Sequence, residues 1–237
     1  MTLALPQSAA GDSLRLMSVF CDAEQRERLR VGWRLRTDIL ATATASEQPE
    51  ICRTKLAWWH EEISRLFEGR ARHPSSVAFS QHHPTDSQTR LLVEQWLVAA
   101  HAQIAAHAID DTTEFRISAF RHYGAILMLL DTSTETRDRH VDGARECAVA
   151  LELLDTISAG ATAVESTAFE LVNHSIEAVA DIGNTSNSPA HAALSAILCL
   201  RLQRIDSARS PNALRLLLSA WWHASRSAKR IVKDTVR

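Results

Sequence analysis

The chain has 237 residues, of which 46% are hydrophobic and 23% are charged, a balance that is typical of a globular protein with a sizeable core. Only seven glycines and six prolines are present, too few for the many tight turns of an all-β fold, and the abundant alanine, leucine, arginine and glutamate favour helices. With a net charge of −2 the chain has no overall positive field that would recruit nucleic acid, so no nucleic-acid partner is expected.

Amphipathic segments with short connections follow one another along the chain. The first predicted helix runs from Ala23 to Ala45, and the second begins near Glu50, after Pro49, and ends at Gly69. On the second helix the apolar side chains recur on one face, at Leu56, Trp59, Ile63 and Leu66. The polar stretch from His73 to Pro84 contains two prolines, which predicts a connector with one short helical turn.

Six further helices are predicted in the rest of the chain, at Asp86–Ala108, Asp110–Leu130, Asp138–Ser158, Ser166–Asp181, Pro189–Ile205 and Pro211–Val232. The buried stripe of the helix that ends at Leu130 is expected to comprise Phe115, Ala119, Phe120, Tyr123, Leu127 and Leu130. The sequence shows neither the alternation of half-buried strands nor a fixed-period repeat. We therefore expect an all-α protein in which residues 1–237 form a single domain of about eight helices.

The sequence carries no sign of a membrane span or a secretory signal. Its longest uninterrupted apolar stretch, Ala125–Leu130, has only six residues. Met1 to Ala10 lack the basic and then apolar pattern of a signal peptide. The four cysteines are far apart and form no CxxC pair, which indicates reduced thiols and a cytoplasmic location.

Several motifs in order resemble the squalene/phytoene synthase family, the head-to-head type of isoprenyl diphosphate synthase. The second helix carries Lys55-Leu56-Ala57-Trp58-Trp59-His60-Glu61-Glu62, followed by Phe67-Glu68-Gly69 and then His73-Pro74. The segments Ser13-Leu14 with Arg26 and Leu29, Glu114-Phe115 with Tyr123-Gly124-Ala125, and Trp221-Trp222 with Arg226 resemble further family segments. The resemblance implies an isoprenoid synthase fold, a helical bundle around an apolar pocket, with Tyr123 and Glu152 as candidate ligand-binding residues.

The chain departs from the family at the two acidic motifs that the family's catalytic chemistry requires. The family's enzymes hold Mg²⁺ between two Asp-x-x-x-Asp motifs, whose i, i+4 spacing places both carboxylates on one helix face. Where the first motif is expected, Asp38 is the only acid, with no second carboxylate three or four residues further on. Where the second is expected, Glu152 and Asp155 lead into Ala159 and Ala163. Asp38 and Asp155 remain as single catalytic candidates, and no cofactor is expected unless Mg²⁺ is held by displaced ligands.

Metal-ligand spacing is also lacking among the eleven histidines. His101 and His107 are six residues apart, hence on different helix faces, and no HExxH motif occurs. The acidic run from Asp131 to Glu146 is interrupted by arginines, which is typical of a solvated, salt-bridged surface. We therefore expect no metal site.

The C-terminal segment is basic. Arg201 to Arg237 carries a net charge of +7, which leaves −9 for the remainder. On the last predicted helix the basic stripe consists of Arg215, Arg226, Lys229, Arg230 and Lys233. It is interpreted either as the solvated side of a packed helix or as a patch for an acidic protein, anionic lipid headgroups or a diphosphate.

Three functions remain open at this point. The favoured hypothesis is a pseudoenzyme with an accessory, assembly or isoprenoid- or lipid-binding role, cytoplasmic or peripheral at a membrane. The alternative is an active Mg²⁺-dependent prenyl transferase that makes squalene, a precursor of it, or phytoene. The third is a helical interaction module whose motifs coincide with the family by chance.

Overall fold

The structure, a computed structural model, describes residues 8–105, 112–130, 137–158, 174–181, 189–202 and 219–224. Every element in these ranges is helical and none is a strand, which confirms the predicted all-α class. The helices are α1 (Ala9–Met17), α2 (Ala23–Leu40), α3 (Pro49–Phe67), α4 (Pro74–His82), α5 (Ser87–Ile104), α6 (Thr112–Ala119), α7 (Ala125–Leu129), α8 (Arg137–Ser158), α9 (174–181), α10 (Pro189–Leu202) and α11 (219–224). Turns of 3₁₀ helix follow α1 and α2, at Ser18–Phe20 and Ala41–Thr44.

Contacts between residues group the chain into two compact units, which are described separately. One unit combines Met1–Asp22 with Val141–Arg237, and the other comprises Ala23–His140. The interpretation of residues 1–237 as a single domain stays a prediction. No helix in the described part of the chain is both long enough and apolar enough to cross a membrane.

Within the Ala23–His140 unit, helix α3 follows the sequence pattern closely. Pro49 lies in its first turn, and Gly69 adopts the left-handed conformation (φ +72°) just beyond its end, where glycine carries no steric penalty. The four predicted core residues, Leu56, Trp59, Ile63 and Leu66, are all buried. Helix α3 packs against α5, and α2 packs against α4 and α5.

The predicted connector between His73 and Pro84 is wrong, because residues Pro74–His82 form helix α4. Pro74 occupies the first helical position, where its missing N–H costs nothing, and the His73 ring accepts a hydrogen bond from the Ser75 N–H (3.3 Å) as a cap. Phe79 is fully buried beneath the helix. The two prolines therefore bound a helix instead of preventing one.

The predicted helix from Asp110 to Leu130 contains a π-helical turn, Phe120–Gly124, between α6 and α7. The wider turn changes the regular backbone pairing, and the His122 carbonyl accepts a hydrogen bond from Arg36 Nε (2.6 Å). Gly124 lies against the Phe120 ring, and a Cβ at this position would overlap the Cδ2 edge of that ring. The turn therefore depends on glycine at position 124.

Gly124→Ala is expected to destabilise the protein by about 1–3 kcal/mol, because the Phe120 ring must leave its position. Gly32→Ala in α2 is the matched control, since its Cβ would meet His83 Nε2 at 3.6 Å, an ordinary contact. Alanine in a helix interior is favoured over glycine, so this control is expected to gain up to about 1 kcal/mol. Urea unfolding of both variants measures the difference, and equal effects would contradict a steric role for Gly124.

The other unit contains helix α1, which the sequence patterns did not predict as a separate helix. Ser8 caps it by accepting a hydrogen bond from the Gly11 N–H (3.1 Å), and Arg201 Nη1 donates to the Ala9 carbonyl (2.7 Å) from α10.

A small core in the same unit consists of Ala193, Ile197, Ala220 and Ala224, which pack with Leu16, Phe20 and Leu200. Cys147 is buried beside Ser195 (3.9 Å), and burial raises the pKa of its thiol to about 12.

Candidate functional site

An open pocket of about 360 Å³ lies in the Ala23–His140 unit, at the C-terminal end of α2 and beside α3. Its volume is at the lower end of the range for small-molecule sites. The residues that line this α2–α3 pocket are Asp38, Ala41, Thr42, Lys55, Trp58, Trp59 and His73. Four residues of the sequence motif, Lys55, Trp58, Trp59 and His73, therefore line one pocket.

Three aromatic rings form one wall of the α2–α3 pocket. The Trp58 and Trp59 rings are 5.1 Å apart in an edge-to-face arrangement, and the His73 ring lies 4.8 Å from Trp59 and 5.9 Å from Trp58. Trp59 is buried and belongs to the core, whereas Trp58 is 42% exposed. Because consecutive helix residues point in different directions, the Trp59 ring packs into the core while the Trp58 ring stays accessible at the pocket.

Glu62, one turn after Trp58, fixes the loop that brings His73 to the α2–α3 pocket. Its Oε1 accepts hydrogen bonds from the backbone N–H groups of Arg72 (2.8 Å) and His73 (2.7 Å), and its Oε2 accepts one from Arg65 Nε (3.1 Å). The side chain is fully buried. Burial alone would raise the pKa of Glu62, but these hydrogen bonds outweigh it and hold the pKa below its ordinary value. No local sequence pattern had indicated this role for Glu62.

Two charged residues, Asp38 and Lys55, line the α2–α3 pocket. Asp38, its one acidic residue, is paired with Arg34, whose Nε lies 3.0 and 3.2 Å from the two carboxylate oxygens. Lys55 makes no ion pair with any residue that the structure describes. No group of three or more histidine, cysteine, aspartate or glutamate side chains in the described ranges could hold a metal ion. A single, already paired carboxylate does not fit the Mg²⁺ cluster of a prenyl transferase.

The other predicted site residues lie elsewhere. Tyr123 is buried, and its ring contacts the Arg36 guanidinium (4.7 Å), which also lies over Trp33 (4.6 Å). Glu152 and Asp155 belong to the other unit. Asp155 Oδ1 accepts a hydrogen bond from the Ala10 N–H (2.8 Å) and so caps the first turn of α1. Arg215, Arg226, Lys229, Arg230 and Lys233, like Ala159 and Ala163, lie outside the described residues.

A pair of histidines on the surface of the Ala23–His140 unit was not predicted from the sequence. His60 of α3 and His101 of α5 approach to 3.1 Å between their Nε2 atoms. Burial of part of the ring, with the nearby His60 and Arg53, lowers the pKa of His101. The two residues are 41 positions apart in sequence, so no spacing motif could reveal them. Only the packing of α3 against α5 brings them together.

Comparison with known proteins leaves the family open. No protein-family model matches the chain, and neither the curated proteins nor the solved structures give a match. The resemblance to squalene/phytoene synthases therefore depends on the motif residues themselves. Four of these residues, Lys55, Trp58, Trp59 and His73, line the α2–α3 pocket.

Proposed function

We propose that this protein is a non-catalytic relative of the squalene/phytoene synthases that binds an isoprenoid or lipid ligand with an anionic head. The observation that carries the proposal is the composition of the α2–α3 pocket. Among the described residues, it combines one cation without an ion pair, Lys55, and an exposed indole, Trp58, with one carboxylate, Asp38, that is paired with Arg34.

Each part of the α2–α3 pocket suits one part of such a ligand. Lys55 attracts a phosphate or diphosphate head, and the indole face of Trp58 offers apolar contact to the first carbons of the chain. Departure of diphosphate, in contrast, requires metal ions that neutralise the developing charge. Because no second carboxylate from the described part of the chain lines the pocket beside Asp38, we expect the ligand to bind without being turned over.

Calorimetric titration with farnesyl diphosphate, in the presence of a chelator, tests the proposal. Saturable binding without Mg²⁺ is expected, and farnesol or inorganic diphosphate alone should bind more weakly because each lacks one half of the contacts. Assays with Mg²⁺ are expected to show no release of diphosphate. Release would favour the prenyl transferase alternative, and a failure of all three compounds to bind would contradict the proposal.

Lys55→Ala and Trp58→Ala are each expected to weaken binding of farnesyl diphosphate about tenfold, since each removes one charge-assisted or aromatic contact. Arg53→Ala is the matched control, because Arg53 is also a cation on α3 but does not line the pocket. Both pocket side chains are exposed, so these variants should fold normally. If Arg53→Ala weakened binding as much as Lys55→Ala, a non-specific charge effect would explain the result.

A further inference from the structure

Two histidine side chains from neighbouring helices meet on the surface of the Ala23–His140 unit. His60 and His101 are both exposed, and neither lines the α2–α3 pocket. Their Nε2 atoms are 3.1 Å apart, and their rings are inclined by 38° with centroids 5.4 Å apart. Two ring nitrogens at this distance either share a hydrogen-bonding proton or direct their lone pairs at a common cation.

The distance between the nitrogens fits a shared transition-metal ion. With metal–imidazole bonds of about 2.0–2.1 Å, nitrogens that are 3.1 Å apart subtend an angle of about 100° at the ion. This angle lies between the roughly 90° of square-planar and the roughly 109° of tetrahedral coordination, the two geometries typical of copper, nickel and zinc. The spacing of the two nitrogens is therefore compatible with chelation of one ion.

Helix packing holds both histidines in place before an ion arrives. His60 lies between Trp59 and Ile63 on α3, both of which are buried, and His101 follows the buried Ala100 on α5. The two helices pack against each other. Because the backbone of each ligand is fixed by the core, binding orders only two side chains.

The charges around the pair are compatible with a bound cation. Arg53 is the nearby cation that acts on His101, and it is paired with Glu50 at 2.9 Å, which reduces its repulsion. The lowered pKa of His101 favours the neutral imidazole, the form that binds metals.

We propose that His60 and His101 form a binding site for a late first-row transition-metal ion, such as Cu²⁺, Ni²⁺ or Zn²⁺. Imidazole nitrogen is a preferred ligand of these ions, whereas Mg²⁺ and Ca²⁺ take oxygen ligands. No third histidine, cysteine, aspartate or glutamate of the described ranges joins the pair in a metal-binding group. The ion therefore keeps open coordination positions, which water or a donor atom of a bound molecule fills. Affinity should be highest for Cu²⁺.

Calorimetric titration of the untagged, chelator-treated full chain with Cu²⁺ and with Zn²⁺ tests this site. One tight site per chain is expected, and excess Mg²⁺ should not compete for it. His60→Ala and His101→Ala should each weaken that site about a hundredfold, because the remaining imidazole no longer chelates. The double variant, which lacks both imidazoles, should lose this site altogether.

The matched control is His174→Ala, an exposed histidine in the other unit, which should leave the affinity unchanged. Electron paramagnetic resonance of the Cu²⁺ complex should show coupling to two imidazole nitrogens in the native chain and to one in each single variant. Thermal unfolding without metal should be nearly unchanged in the single variants at His60, His101 and His174, since these side chains are exposed. The absence of saturable binding, or native affinity in either single variant, would overturn the proposal and leave a hydrogen-bonded histidine pair.

Discussion

Glu62→Ala is expected to lower the free energy of unfolding by about 3–5 kcal/mol, and Glu62→Gln by about 1–3 kcal/mol. Alanine leaves the Arg72 and His73 backbone N–H groups and the Nε–H of Arg65 without the acceptor that Glu62 provides. Glutamine keeps one acceptor oxygen for the two backbone groups but turns an amide N–H₂ towards Arg65. Urea unfolding at neutral pH measures both changes.

Glu61→Gln is the matched control for this prediction. Glu61 is the preceding residue, its side chain is 71% exposed, and it lies 3.4 Å from the same arginine, Arg65. Its removal should cost less than about 0.5 kcal/mol, as is usual for an exposed pair. Equal effects of Glu61→Gln and Glu62→Gln would contradict the positioning role of Glu62.

Loss of Glu62 should also disturb the α2–α3 pocket. The Glu62 carboxylate holds the backbone of His73, whose ring packs against Trp58 and Trp59. Glu62→Gln should therefore change the tryptophan fluorescence and weaken ligand binding even under conditions in which the variant remains folded. An intact pocket in such a variant would show that His73 is placed by other contacts.

Local chemistry explains which helices the sequence predicted well. Helix α3 has a proline at its start, a glycine beyond its end and an apolar stripe between them, so its bounds follow from residues within the segment. Helix α4 lacks such a stripe and is stabilised by burial of Phe79, a tertiary contact. Helix α1 similarly depends on Asp155 and Arg201, which are more than 140 positions away in sequence.

The residues of the candidate sites likewise differ in whether local sequence or tertiary packing brings them together. The stretch from Lys55 to His73 supplies most of the α2–α3 pocket, because a helix, its end and the following turn fold back on themselves. Asp38 was predicted as a candidate and does line the pocket, but its pairing with Arg34 could not be distinguished from other helix pairs beforehand. The His60–His101 pair requires two helices to pack in one register, which no local pattern specifies.

His83 is expected to make the protein less stable as the pH falls from about 6.5 to about 4. It lies buried at the end of α4, stacked on Phe79 with ring centroids 4.2 Å apart, and its Nε2–H donates to the Arg28 carbonyl (3.0 Å). Its Nδ1 is buried and has no hydrogen-bond partner among the described residues. A second proton at this atom would therefore be unfavourable in the folded state.

The direction of this effect follows from the pKa values of the two states. Burial, opposed by the hydrogen bond to the Arg28 carbonyl and aided by the charges of Arg28 and His82, lowers the pKa of His83 from 6.5 to about 4. Between these values the unfolded chain binds the proton and the folded chain does not. The contribution of His83 to stability is complete above pH 6.5 and is lost as the pH falls to about 4, by about 3 kcal/mol in total.

His83→Gln separates this contribution from those of other groups, because glutamine donates to the Arg28 carbonyl but does not titrate. Between pH 7 and 4.5 the variant should lose clearly less stability than the native chain in urea unfolding. His82→Gln, at the neighbouring, partly exposed histidine near Glu27 (3.8 Å), should retain most of the native slope. Glu62 contributes to stability over a different pH range. Because its pKa in the folded protein is lowered, its contribution is lost only below pH 4.5. If His83→Gln lost stability as steeply as the native chain between pH 7 and 4.5, His83 would not be the group that titrates.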